Sequence, residues 1–150
     1  MVSWGLVPGL ILVHFLLRPT IRGLPVAPDL LLGALLLGAA RMRAGYAALF
    51  GFGLGVLEAA FAMQGMGQLA LVFTLVAYLG ARSRELLFFD ARAFGFLYLF
   101  VGTWAAQIGI VLFASDVTSP FAVVFPGLAT AALTALVAGV AERAVALVER

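Results

Sequence analysis

The sequence predicts an all-α fold: a polytopic integral membrane bundle of about six transmembrane helices, forming one transmembrane domain over residues 1–150. Three observations predict it. First, 65% of the residues are hydrophobic and only 11% are charged, with a mean hydropathy of +1.17. A soluble domain carries about a quarter charged residues, and even that chain barely covers its surface with polar atoms. Second, the apolar residues fall into runs near the length of about 20 that a spanning helix needs. That length leaves room for about six or seven spans with short loops, and none for a separate catalytic domain. Third, the basic residues are nine arginines and no lysine, and they cluster between runs. A net charge of +2 would suggest nucleic acid in a soluble protein, but here basic loops fit the fixing of membrane orientation.

The first apolar run covers residues 2–17 and stops at Arg18-Pro19. No basic stretch precedes it, and Pro8 and His14 interrupt it, so a cleavable signal is not expected. The second covers 24–40, with Pro25, Pro28 and Asp29 in its opening turns. Proline is tolerated there because its missing N–H has no intrahelical partner, and Asp29 can cap the same end. Its uninterrupted part, Leu30 to Ala40, is short enough for a half-spanning segment. Arg41 and Arg43 close it. The third run covers 45–63, broken only by Glu58. Gln64, Gly65 and Gly67 make an uncharged turn into the fourth, 66–81, which ends at Arg82-Ser83-Arg84-Glu85. After Asp90 and Arg92 the fifth covers 93–114. A polar turn carrying Asp116 leads to the sixth, 121–141.

Arginine placement tests the topology. With six spans and the N-terminus inside, Arg41, Arg43, Arg82, Arg84, Arg92, Arg143 and Arg150 lie inside and only Arg18 and Arg22 outside. If the second run does not span, the N-terminus lies outside and all nine lie inside. Both versions put the Arg82–Arg92 loop and the C-terminus on the cytoplasmic side. No internal repeat or linker is visible.

Cysteine is absent, which excludes disulfides and thiol chemistry. No nucleophile–base pair, carboxylate pair or metal constellation is spaced for catalysis, so neither an enzyme nor a cofactor is expected. His14 stands alone, short of the three or four ligands a metal needs. The glycines at 51, 53 and 55 lie inside an apolar run rather than between a strand and a helix, which is the wrong place for a phosphate loop. Glu58 is the one ionisable residue well inside a run from the third onward, ~22 Å along the helix from Arg43. An intramembrane carboxylate is costly and is a functional candidate by default. It adjoins a stripe of Gly51, Gly55 and Ala59 at four-residue spacing, which allows close helix approach. Either Glu58 faces a partner helix or pocket, or it lies near the interface and snorkels. The Thr103/Gln107 and Thr130/Thr134 pairs, each one helical turn apart, can hydrogen-bond between helices.

The segment Pro28-Asp29-Leu30-Leu31-Leu32 looks like the opening of the second helix in the MreD family of bacterial rod-shape systems. Gly51 to Glu58 is similar to its Gly-rich third helix with an acidic end. Gly65-Met66-Gly67 and Tyr78-Leu79-Gly80-Ala81-Arg82 resemble its glycine turn and the close of its fourth helix. Glu58 stands where aspartate is expected, and Ala77 where glycine is usual. The resemblance covers roughly residues 28 to 84 and implies a non-enzymatic scaffold of the peptidoglycan elongation complex in the bacterial cytoplasmic (inner) membrane. It implies binding to MreC, and through it coupling of MreB filaments to RodA and its penicillin-binding transpeptidase. Glu58, Gly51, Gly55, Ala59 and Gln64 are the places where that contact is expected. The substrate-binding S components of energy-coupling-factor vitamin transporters share this architecture and are the alternative. Their first-helix alanine pair has no counterpart between Trp4 and Leu17, which contains no alanine.

Overall fold

The computed structural model describes residues 5–21, 27–62, 65–86, 92–113 and 121–148. Within them the chain forms six α-helices and no strand: α1 (Leu6–Ile21), α2 (Leu30–Ala39), α3 (Ala44–Ala62), α4 (Met66–Leu86), α5 (Arg92–Phe113) and α6 (Phe121–Val148). Three of these contain stretches long and apolar enough to cross a membrane: Ala44–Ala62, Gly95–Phe113 and Phe125–Ala144. Large apolar side chains also stand exposed, among them Leu12, Leu16, Phe52, Phe61, Leu112 and Phe125. Both features point to a membrane protein.

Three helix ends lie further on than the apolar runs suggest. α1 continues through Arg18 and Pro19 to Ile21 instead of stopping at Leu17. Pro19 lies in the last turn, where it removes one i→i−4 bond and the helix ends two residues later, and Arg18 is anchored to α3 by an ion pair. α4 continues to Leu86 instead of Ala81, and α6 to Val148 instead of Ala141. In both cases charge ends the apolar run without ending the helix, because Arg and Glu are good helix formers. The Ser83 hydroxyl adds a 3.0 Å bond to the Gly80 carbonyl within α4.

α2 is the organising element. It has only ten residues, and every one is buried. At ~1.5 Å per residue it is ~15 Å long, half the thickness of a bilayer's hydrocarbon core. A helix apolar on all sides belongs in an interior, and α2 packs against each of the other five. Leu31, Leu32 and Leu35 join a core with Val72, Phe73 and Ala77 of α4. Leu30, Ala34 and Leu37 join another with Val7 and Leu10 of α1 and Ala135 and Ala138 of α6.

Both ends of α2 are tied. Asp29 is the N-cap: its carboxylate accepts from the Leu32 N–H at 3.1 Å, and its own N–H donates to the Thr134 hydroxyl of α6 at 2.8 Å. That hydroxyl in turn donates to the Thr130 carbonyl at 2.8 Å. Near the other end, Tyr98 of α5 donates to the Leu36 carbonyl at 3.1 Å.

Neighbours along the chain run antiparallel. Position 51 meets Phe73 and Ala77 while position 55 meets Ala70, and Gly80 lies against Tyr98 while Gly109 lies against Val72. α1 delivers Arg18 to the Glu58 end of α3, and α2 then runs back from Asp29 to Arg41. Within the bundle, Arg18 thus lies toward the opposite end from Arg41 and Arg43. Among the described residues, the helix ends at Arg41, Arg43, Arg82, Arg84, Arg92 and Arg143 share one end of the bundle with Glu85 and Glu142. Arg18 shares the other with Asp29 and Glu58.

Candidate functional site

Four ionisable side chains from three elements meet at the Arg18 end. His14 and Arg18 are four residues apart on α1 and so share a face; Asp29 caps α2, and Glu58 lies in the last two turns of α3. The Arg18 Nη2 donates to Glu58 Oε1 at 2.6 Å. His14 sits between the carboxylates, with Nε2 3.6 Å from Glu58 Oε2 and Nδ1 4.0 Å from Asp29 Oδ1. Those two distances are too long for direct hydrogen bonds, so the histidine contributes by proximity. All four are largely buried, with side-chain exposures of 15% for His14, 14% for Arg18, 24% for Asp29 and 17% for Glu58.

Apolar contacts hold the group in place. Phe15 of α1 packs on Phe61 of α3 at 4.7 Å between ring centroids, and the Arg18 guanidinium lies 5.9 Å above the Phe15 ring. Burying charges costs several kcal/mol per ion unless each finds a partner. Here Arg18 and Glu58 compensate one another directly. With a protonated histidine the four groups are neutral in sum; with a neutral one the sum is −1. A neutral ring has one N–H and serves one carboxylate at a time, whereas the protonated ring can offer a donor to each. Both His14 nitrogens, Arg18 Nη1 and Glu58 Oε2 are buried without a hydrogen-bond partner.

The arrangement is a polar latch. It fixes α1 to the start of α2 and the end of α3. The histidine's nitrogens face different carboxylates instead of converging, and among the described residues no group of three His, Asp or Glu could hold a metal ion.

The candidate residues read from sequence divide between this latch and another interface. Glu58 is in the latch, turned toward α1, and Asp29 is in it with Pro28 half-buried beside it. Gly51, Gly55 and Ala59 are buried and face α4. A Cβ on Gly51 would lie 2.8 Å from Ala77 Cβ, and one on Gly55 would lie 2.6 Å from Ala70 Cα. The small-residue stripe is thus filled by the chain's own fourth helix. Gln64 lies outside the described residues. Arg43 and Arg82 are exposed and Arg41 is half-buried at the opposite end, where the backbones of Arg84 and Arg92 also lie.

Two participants escape sequence reasoning. His14 is isolated in the sequence, yet it sits between two carboxylates in the fold. Arg18 reads as the boundary of a run, yet it is the partner of Glu58 from 40 residues away. The available signal is the four-residue spacing of two basic groups on α1, with a carboxylate near the same end of α3. Thr103 is fully buried, with its hydroxyl unpartnered.

Comparison of the chain with protein-family models, with curated proteins and with solved structures finds no match.

Proposed function

We propose that this protein is a six-span scaffold of the bacterial cytoplasmic membrane, similar to the MreD family, which acts by binding a bitopic MreC-type protein. Through that partner it would help couple MreB filaments to RodA and its penicillin-binding transpeptidase. The observation that carries the reading is how the chain uses its polar and apolar groups. Its buried ionic groups pair with one another in a latch, while large apolar side chains are presented outward from five of the six helices. Such a molecule offers helix faces for recognition. The motif resemblance supplies the family.

The fold moves the expected contact. Because α4 covers Gly51, Gly55 and Ala59, the partner would meet the other face of α3, where Tyr46, Leu49 and Leu57 stand exposed. Glu58 then supports that face from behind by holding α1 against α3. The lipid bilayer is the protein's other constant partner.

Co-expression and detergent co-purification with the MreC protein of the same organism tests the reading. The expected result is a complex that survives size exclusion. A chain that elutes alone beside a folded MreC overturns it. Marked thermal stabilisation by a vitamin would favour an S component instead.

A further inference from the structure

A groove opens on the side of the bundle between α4 and α5. Its volume is about 370 Å³. Val76, Leu79, Gly80 and Ser83 form one wall, and Leu97, Tyr98, Val101, Gly102 and Ala105 the other, with Leu36 of α2 as the floor. The lining is almost wholly apolar, and Leu79, Leu97 and Val101 are half-exposed at its rim.

Two features say what fits it. One is length. The lining runs from position 76 to 83 on α4 and from 97 to 105 on α5, ~11–12 Å at 1.5 Å per residue. A partner helix crossing the membrane presents ~30 Å of apolar surface, so the groove covers less than half of one. It matches a single leaflet. The other is charge. The groove lies toward the end of the bundle where, among the described residues, six arginine positions gather against two glutamates. Ser83 lines the groove at that end, and the positions of Arg82, Arg84 and Arg92 lie on the same end of α4 and α5. Basic pockets between membrane helices on the arginine-rich side bind anionic lipid headgroups.

We infer that the α4–α5 groove is a binding site for one anionic phospholipid, its acyl chain lying along Leu79, Leu97 and Val101 and its phosphate at the arginine-bearing end. The inference rests on the membrane placement proposed above and not on the identity of the protein partner. Its chemistry is shared by phosphatidylglycerol and cardiolipin, which the test separates.

The full chain, purified in a neutral detergent, is titrated with phosphatidylglycerol, cardiolipin or phosphatidylcholine. Melting temperature and bound lipid by native mass spectrometry are read together. An anionic lipid is expected to raise the melting temperature and be retained at one per chain, while phosphatidylcholine does neither. Two variants locate the site, each compared with its own lipid-free melting temperature. Ala105→Phe fills the groove and should abolish retention; Leu97→Phe serves the same purpose should the first variant fail to fold. The pair Arg82→Gln and Arg84→Gln should weaken binding about thirtyfold at low salt, at roughly a tenfold factor per 1.4 kcal/mol and about 1 kcal/mol for each arginine. Equal stabilisation by phosphatidylcholine overturns the inference, as does anionic selectivity that survives both groove-filling variants. A chain that stays soluble without detergent would instead sink the membrane placement, so the two failures are told apart.

Discussion

α3 is held on two sides by opposite means. Toward α4 it presents Gly51, Gly55 and Ala59, and the contact is backbone against backbone, with no side chain to adjust. Toward α1 it presents Glu58 and Phe61, and the contact is a charged pair and a ring pair with several polar atoms unpartnered. The first interface is specified by shape. The second is specified by charge, and its strength depends on every member being present. A shape interface of this kind fails when anything is added, and a charge interface fails when anything is removed.

The largest effect is expected at the shape interface. Gly55→Val would push a branched side chain into the α4 backbone at Leu69 and Ala70. Overpacking typically costs ~1–3 kcal/mol when side chains can shift. Here the obstacle is backbone, so the loss should exceed that range, and little folded protein should be recovered on size exclusion. Recovery of a monodisperse, helical protein with wild-type melting would mean that α3 and α4 do not meet along this stripe.

Next comes the removal of one charge. Arg18→Ala leaves Glu58 largely buried, with His14 as its remaining basic neighbour. Breaking a buried pair costs ~3–5 kcal/mol; the lower end of that range applies here, because the groups retain some exposure and the histidine remains. The double variant Arg18→Leu with Glu58→Leu should recover most of the loss, since apolar replacement of both partners is often neutral. Unfolding in mixed detergent, compared over the three proteins, reads this directly. If the double variant is no more stable than Arg18→Ala, the pair is not the source of the effect.

These two interfaces were unequally legible. The glycine stripe follows from spacing alone, because residues four apart share a helix face. What covers it does not, since a second copy, a partner or α4 would all suit it. Glu58 stands out as a charge inside an apolar run, but its partner lies 40 residues away on a segment that reads as a boundary. Hydropathy finds where an apolar run stops, and at Arg18, Arg82 and Glu142 the helix continues past that point. The short second run was legible as exceptional. Its role as a fully buried core post was not, because burial on all sides depends on the five helices around it. Asp29 was legible as a cap, and the structure adds its bond to Thr134, a contact across 105 residues.

A smaller effect tests that bond. Thr134→Val keeps the shape of a fully buried residue while removing the acceptor for the Asp29 N–H. Loss of one such hydrogen bond should cost ~1–2 kcal/mol. Faster amide hydrogen exchange is expected at the start of α2, with the α3–α4 interface unchanged. Uniform acceleration across the bundle would show that Thr134 matters to overall packing instead.

The smallest effect sharpens the comparison most, because it needs only one helix. Gly53 lies between Gly51 and Gly55 in sequence, but on another face, where an added Cβ would meet nothing within 4 Å. Glycine within a helix is ~0.5–1 kcal/mol less favourable than alanine. Gly53→Ala should therefore stabilise the protein slightly, by a few tenths to ~1 kcal/mol. Gly55→Ala, an identical change two residues on, should destabilise it, because its one methyl group would lie 2.6 Å from Ala70 Cα. The two variants add the same atoms to the same helix and change propensity equally. Any difference of sign between their unfolding free energies therefore belongs to the packing face alone. Equal effects would assign the role of these glycines to helix propensity and leave the α3–α4 interface without its geometric basis.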